Sequence, residues 1–96
     1  MKPSAALAAK RNDIRSVTGR YRVANPRVFG SVVKGLDHEG SDLDLLVDAL
    51  PGVTLFDLGA LQEELETLLG VPVDVRTPGD LPGLILAQVL AEAQPV

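Results

Sequence analysis

Acidic, glycine and serine residues are grouped in the stretch 30–44, which reads GSVVKGLDHEGSDLD. The step Gly30-Ser31 is followed, after ten intervening residues, by Asp42 and Asp44 with one leucine between them. Same-face neighbours on a strand lie roughly 6.5–7 Å apart at Cα, because each residue rises about 3.3 Å. The two carboxylates can therefore converge on one cation, and without it their repulsion would raise one pKa. The spacing indicates a site for a hard cation such as Mg²⁺, which accepts oxygen ligands.

A third acid, Asp74, lies in the alternating segment VPVDVR at 71–76. Its neighbours Val73 and Val75 are expected to face the core, so Asp74 should face away from it, as the two earlier acids do. If the two strands pair, all three carboxylates share one face of the sheet. Three acids can hold two metal ions, one on a nucleotide triphosphate and one lowering the pKa of an attacking hydroxyl.

The Gly30-Ser31 step offers contacts that carboxylates cannot make. Gly30 has no Cβ, so a phosphate can approach the backbone closely. Ser31 is predicted to begin a short helix over 31–34, whose first N–H groups would point at that phosphate. Metal ions on one side and amides on the other could clamp a triphosphate, as phosphoryl-type transfer requires. Either motif alone is nonspecific, but together with the downstream acid they favour nucleotide chemistry.

Hydrophobic periodicity predicts the elements that position these residues. We expect a small α/β (α+β) domain, with a mixed sheet of about three strands flanked by helices and covered mainly on one face. Pro72 cannot donate to a ladder, so the third strand should lie at an edge or begin there. The predicted helices cover 4–21 (with Ser4 as N-cap), 31–34, 55–69 (with Thr54 as N-cap) and a segment from about Asp80, and the predicted strands cover 27–30, 42–48 and 71–76.

Length and composition exclude several classes of protein. Ninety-six residues fit a single domain spanning 1–96. The chain has no cysteine, which excludes disulfides and thiolate metal sites. No apolar run is long enough to span a bilayer, and the start, MKPSAALAAKRND, lacks the apolar core of a secretory signal. We therefore expect a cytoplasmic protein with no membrane partner.

Charge is unevenly distributed along the chain. Residues 1–34 hold eight of the nine Lys and Arg and carry a net +7, whereas residues 35–96 carry −11. Such asymmetry either marks an anionic partner for the basic half or means that the two halves fold together and neutralise one another. Aromatic residues make up only 3% of the chain, too few to stack nucleobases well. Nucleic acid is therefore not expected as a partner.

The pattern GS-x10-DLD followed by VDV resembles the signature of the DNA polymerase beta-type nucleotidyltransferase superfamily. The segments VFGSVVKG, SDLDLLVD, LFDLGALQEELETLLG and VPVDVRTP are similar, in order, to the minimal nucleotidyltransferases, the MNT antitoxins of HEPN–MNT toxin–antitoxin pairs. The resemblance runs from about residue 27 to the end of the chain. It implies a polymerase beta-like nucleotidyltransferase fold and one minimal nucleotidyltransferase domain over 1–96.

The resemblance also implies roles for individual residues. Gly30 and Ser31 would bind the nucleotide phosphates. Lys34 stands where arginine is commoner in the family, and it could still touch phosphate as a point charge. Three carboxylates would be catalytic and would ligate two Mg²⁺ ions, namely Asp42, Asp44 and Asp74.

Members of the antitoxin group transfer AMP from ATP onto a tyrosine hydroxyl of the HEPN toxin, an RNase, and so silence it. By resemblance we expect the same reaction here, with ATP as substrate and a HEPN toxin as partner, which leaves a hetero-oligomer open. Two alternatives remain: a non-catalytic antitoxin that neutralises its partner by binding, and a nucleotidyltransferase that acts on a small molecule or RNA. The scarcity of aromatic surface argues against RNA, and a chain of 96 residues offers few walls for a small-molecule pocket.

Two further features leave alternatives open. Arg76, two residues after Asp74, is predicted either to form an ion pair with a nearby acid or to contact nucleotide or partner. The last helix carries Leu84, Ile85, Val89 and Leu90, more apolar residues than a thin domain easily buries, so part of it could face a toxin or a second copy of the chain.

Overall fold

The computed structural model describes all residues from 1 to 96, and the order of its helices and strands follows the hydrophobic pattern. The elements are α1 Pro3–Thr18, β1 Val23–Phe29, α2 Ser31–Lys34, β2 Leu43–Ala49, α3 Leu55–Leu69, β3 Val73–Arg76, α4 Gly83–Glu92 and β4 Gln94–Pro95. A short 3₁₀ turn at Pro78–Asp80 connects β3 with α4. No helix combines the length and hydrophobicity that crossing a bilayer would require.

The strands form one mixed sheet in the order β3-β2-β1-β4. Strand β1 is antiparallel to both β2 and β4, whereas β2 and β3 are parallel and are joined through α3. The predicted mixed α+β architecture is confirmed, but the sheet has four strands rather than three. The additional strand, β4, contains two residues, too few to show a period-2 pattern in the sequence.

The core lies on one face of this sheet, beneath α1 and α3. Leu43, Leu45 and Val47 of β2 are fully buried there, as their alternation with polar residues predicts. Ile14 of α1 and Leu61 of α3 are fully buried against the same face. The two longest helices are thus committed to this side of the sheet.

The opposite face carries the acids. Alternation along β2 places Asp44, Leu46 and Asp48 on it. Leu46 is fully buried yet lies outside the main core cluster, and its cross-strand partners are Arg27 and Arg76. Because α1 and α3 pack on the other face, and Val32 and Val33 of α2 pack against the same core, the 3₁₀ turn and α4 remain to cover this one.

Helix α1 begins differently from the prediction. Pro3 occupies its first turn, where a missing N–H costs nothing, and Lys2 rather than Ser4 stands at the N-cap. The acceptor at this end is distant in sequence, since the Ser4 backbone N–H donates to Asp37 Oδ2 at 2.9 Å. The helix also ends at Thr18, three residues earlier than predicted.

Strand β1 begins at Val23, earlier than predicted, even though it contains Asn25 and Pro26. Asn25 has φ 56°, and the register with β2 shifts between Ala24 and Arg27. This irregularity accommodates a proline, which cannot donate to the ladder.

Helix α4 begins at Gly83 rather than near Asp80. The side chain of Asp80 accepts from the Thr77 backbone N–H at 3.0 Å, which stabilises the separate 3₁₀ turn. Helix α3 meets its predicted bounds, with a capping box between Thr54 and Asp57 and Gly70 at its C-terminus in the left-handed region at φ 70°.

The ion pairs join the basic half of the sequence to its acidic half. Four of the five join a positive group in residues 1–34 to an acid in residues 35–96, so the two halves neutralise one another at these points. These pairs are the N-terminal amine with Glu39, Arg20 with Glu64, Arg27 with Asp48, and Lys34 with Glu92.

Candidate active site

The candidate site lies where β1 ends and where β2 and β3 begin. Asp44 pairs across the sheet with Phe29 of β1 on one side and with Asp74 of β3 on the other. Because β2 and β3 are parallel and these residues are direct partners, Asp44 and Asp74 lie on the same face of the sheet. Asp42 is exposed and precedes β2 by one residue, so it is not part of the strand as the sequence predicted.

Gly30 brings the backbone against Asp44. It has φ 75° and ψ −145°, a conformation essentially confined to glycine. A Cβ built at this position would lie 2.4 Å from Asp44 Oδ2, closer than any real contact. Glycine is therefore required here both by the backbone conformation and by the position of the carboxylate.

Helix α2 consists of a single turn that begins directly after Gly30. Its Lys34 N–H donates to the Gly30 carbonyl at 3.2 Å, and the N–H of Leu36 donates to the Ser31 carbonyl at 2.9 Å. The N–H groups of the first turn of a helix have no acceptor within that helix. Ser31, at the start of the turn, is partly exposed, so its hydroxyl and these amides can reach a ligand beside Asp44.

The acids perturb one another's charge. Burial, and after it the negative charges of Asp74 and Asp42, raise the pKa of Asp44 to about 6, while Arg76 opposes the shift. Asp44 is half-buried, so part of its charge is still solvated. A carboxyl group in this state gains from a positive charge placed next to it, which is the property of a cation site.

Arg76 supplies the positive charge nearest to Asp74. Its Nε donates to both carboxylate oxygens of Asp74 at 3.1 Å each, and this hydrogen bonding raises the pKa of Arg76. Of the two roles predicted for Arg76, the structure therefore has the ion pair. The sequence could anticipate the pair, because residues two apart on a strand share a face.

The metal site expected from the sequence is not preformed. No group of three or more Asp, Glu, His or Cys side chains is arranged to hold a metal ion. The three carboxylates therefore do not form a preassembled metal site. Asp74 lies on the predicted face and is paired with Arg76. The donor set still fits Mg²⁺, since all three groups are hard oxygen donors, and a bound cation would offset the burial and the carboxylate repulsion that together raise the pKa of Asp44.

Lys34 is paired rather than free. Its Nζ lies 3.6 Å from Glu92 Oε2, and both side chains remain partly exposed. Sequence analysis missed this pair, because Glu92 stands at the end of α4 and nothing in the local pattern shows that α4 returns to α2. The pair links Lys34, a candidate nucleotide-binding residue, to α4.

The acids border no enclosed space. A cavity of about 220 Å³ lies among α1, α2, β1 and β4, and none of the three carboxylates lines it. The acid site is therefore an open surface. A small-molecule acceptor needs a pocket, whereas a macromolecular acceptor can enclose the reacting groups with its own surface. An open site therefore suits a macromolecular acceptor better.

Comparison with known proteins places the chain in a family. Residues 12–96 match the nucleotidyltransferase domain family, and the chain belongs to it. It is similar to protein adenylyltransferase MntA of Thermococcus cleftensis, with 38% identity over 86 residues that cover 90% of this chain and 84% of that protein. The family membership confirms the resemblance carried by GS-x10-DLD and VDV, and its members are enzymes that transfer nucleotidyl groups.

Solved structures agree with the fold. The structure of a candidate minimal nucleotidyltransferase matches with a TM-score of 0.87 and 43% identity, covering 97% of this chain and 95% of that chain. A complex of a tri-AMPylated Shewanella oneidensis HEPN toxin with an MNT antitoxin matches with a TM-score of 0.70 and 18% identity, covering 92% of this chain and 69% of that chain. The first of these confirms the minimal nucleotidyltransferase fold, and the second shares that fold.

Proposed function

We propose that this nucleotidyltransferase transfers AMP from ATP to a tyrosine hydroxyl of a HEPN RNase toxin, with Mg²⁺, and thereby acts as its antitoxin. The observation that carries the proposal is the register of Asp44 with Asp74 beside Gly30, on the face of the sheet opposite the core. The protein adenylyltransferase name of the Thermococcus relative and the AMPylated toxin in the Shewanella complex support the choice of reaction and acceptor.

Each residue has a role in this reaction. Ser31 and the first amides of α2 hold the β- and γ-phosphates, and Gly30 allows their close approach to the backbone. Three carboxylates would hold the metal: Asp42, Asp44 and Asp74. Two Mg²⁺ ions, when bound, supply charge neutralisation on the triphosphate and lower the pKa of the attacking hydroxyl.

The transfer itself exchanges the phosphoanhydride bond between the α- and β-phosphates for a phosphodiester linkage to the acceptor. The acceptor oxygen forms a bond to the α-phosphorus, the bond from that phosphorus to the bridging oxygen breaks, and pyrophosphate leaves. Asp74 stands on the acceptor side, where its carboxylate can orient the hydroxyl or accept its proton. To do so it must give up part of its pairing with Arg76.

Lys34 contributes a movable positive charge. Its pair with Glu92 is long and partly exposed, and such pairs are worth about 0–1 kcal/mol. A triphosphate carries more negative charge than Glu92, so Lys34 can exchange one partner for the other at little cost.

The direct test uses the chain, the HEPN protein and ATP labelled in its α-phosphate, with Mg²⁺. We expect the wild type to label a tyrosine of the HEPN protein, and the double variant Asp42→Asn, Asp44→Asn to lose at least about 100-fold in rate. Asp48→Asn is the matched control, because Asp48 lies on the same face but is paired with Arg27 at the other end of β2. Equal labelling by the wild type and the double variant would refute the assignment of Asp42 and Asp44 to catalysis.

One observation favours a second candidate. Without a metal, Asp74 is already neutralised by Arg76, so the fold is compatible with an antitoxin that acts by binding alone. The same variants separate the two functions. Inhibition of the HEPN RNase by the double variant, with no AMP transferred, would establish neutralisation by occlusion.

A further inference from the structure

Helix α4 is apolar nearly all round, yet little of it is buried. Gln88 and Glu92 are its only polar side chains, and Val89 is its only buried residue. Leu84 is 90% exposed, Ile85 50% and Leu90 49%. Leu84 and Ile85 are about 100° apart around the helix axis, whereas Leu90 lies at least about 120° from either, so we call Leu84 and Ile85 the outer side of α4. A helix without a polar face is normally enclosed by protein, so this one lacks part of its covering.

Helix α4 crosses the face of the sheet that carries the acids. The helix starts from the 3₁₀ turn that packs on β2, and it ends at Glu92, which pairs with Lys34 of α2. A ten-residue helix rises about 15 Å, which is close to the width of about 14 Å across the four strands. Since the chain passes from β3 at one edge of the sheet to β4 at the other, and α1 and α3 occupy the core face, α4 crosses the face that carries Asp44 and Asp74.

We propose that the outer side of α4 docks the protein that carries the acceptor hydroxyl. The proposal rests on the proposed function and names the surface that this function requires. With Gly30 and Ser31 holding the triphosphate beside β1, the acceptor enters from the β3 side, where α4 begins. Leu84 and Ile85 lie at that end of the helix, a few residues beyond Asp80.

The apolar, uncharged character of the outer side indicates what kind of surface the partner must present. The only charge on α4, Glu92, is paired with Lys34, so the outer side presents no charge of its own. It therefore fits an apolar groove or helix face next to the acceptor hydroxyl. Two such side chains expose at most a few hundred Å², less than the roughly 800 Å² per partner of a stable dimer. A transient enzyme–substrate contact fits that area better than a second copy of this chain.

The test compares two pairs of exposed apolar residues. Leu84→Gln with Ile85→Gln removes the apolar outer side of α4, and glutamine preserves helix propensity. The matched control is Leu55→Gln with Phe56→Gln at the start of α3, where the side chains are 85% and 90% exposed, at the far end of the sheet. We expect the first pair to lower kcat/KM for AMP transfer to the HEPN protein by about 10- to 100-fold, mainly through KM. The control should stay within about twofold, and both should bind Mg²⁺–ATP like the wild type.

Each outcome decides something. Equal kcat/KM for the wild type and the α4 variant overturns the docking surface and leaves the proposed function standing. A wild type that transfers no AMP to the protein overturns the proposed function itself, and the docking proposal with it. Self-association of the wild type that the α4 variant abolishes, with transfer unchanged, assigns the surface to a second copy instead. The single variant Leu84→Gln changes a residue that packs on almost nothing, and it repeats the comparison if the double variant folds poorly.

Discussion

Replacing Gly30 by alanine adds a side-chain atom where the backbone lies closest to Asp44. The added Cβ would stand 2.4 Å from Asp44 Oδ2 and 3.3 Å from its Cγ. Either the Asp44 side chain rotates away or the backbone between β1 and α2 shifts. Both adjustments separate the carboxylate from the phosphate-binding turn, so activity should fall together with stability.

The magnitude follows from two costs. A non-glycine residue held at φ 75° and ψ −145° costs of order 1–3 kcal/mol. The collision adds to this as far as Asp44 cannot relax. For a domain of this size a loss of about 2 kcal/mol lowers Tm by roughly 8–16 °C. We expect a folded variant of reduced stability whose AMP transfer falls by at least about 100-fold.

Gly70→Ala is the control for backbone conformation alone. Gly70 also has positive φ, at 70°, but a Cβ there would meet nothing within 4 Å. A residue in the left-handed region costs about 1–2 kcal/mol. The control should therefore lose stability measurably and keep its rate of AMP transfer, which thermal unfolding and the labelling assay would both show.

A double-mutant cycle with Asp44→Ala isolates the collision. Removing the Asp44 carboxylate should reduce the cost of Gly30→Ala by about 0.5–3 kcal/mol, because no oxygen then stands at 2.4 Å. Chemical denaturation of the four proteins gives this coupling. Equal costs of Gly30→Ala in both backgrounds would refute the steric argument and leave only the backbone strain.

Two other predictions concern charge at the site. Burial and the neighbouring carboxylates raise the pKa of Asp44 from 3.8 to about 6, so the metal-free folded protein takes up this proton before the unfolded chain does. Its stability should therefore rise, relative to Asp44→Asn, as the pH falls from about 7 to 4, by on the order of 1–2 kcal/mol for a half-exposed group. Thermal unfolding across this range measures the difference, and parallel curves for the two proteins would contradict it. Arg76→Met should release the Asp74 carboxylate and tighten nucleotide-free Mn²⁺ binding by about two- to fivefold, the worth of a partly exposed ion pair. Calorimetric titration with Mn²⁺ checks this, and unchanged or weaker binding would show that Arg76 does not compete with the metal.

The parts of the fold that depend on local pattern could be predicted from the sequence. Alternation in DLDLLVD and VPVDVR assigned Asp44 and Asp74 to the face opposite the core. The capping box at Thr54 and the glycine at 70 bounded α3. Gly30 followed from the motif, although the sequence could not show that its Cβ would meet Asp44.

The parts that depend on distant residues could not be predicted. The acceptor at the start of α1 comes from Asp37, and the partner of Lys34 comes from Glu92, far along the chain in both cases. Strand β4 exists because the chain after α4 returns to β1, and its two residues carry no pattern of their own. The pairing of Asp74 with Arg76 was one of two options open in the sequence, and only side-chain positions decide between them.

The central claim is that carboxylates from two neighbouring strands work as a single unit in AMP transfer. Intact-mass measurement of the HEPN protein over time, with ATP and Mg²⁺, tests it through Asp44→Asn, Asp74→Asn and their combination. Residues that act as a unit are strongly non-additive, so each single variant should lose at least about 100-fold and the double variant little more. A rate near that of the wild type for Asp74→Asn, in a protein that remains folded, would contradict the claim.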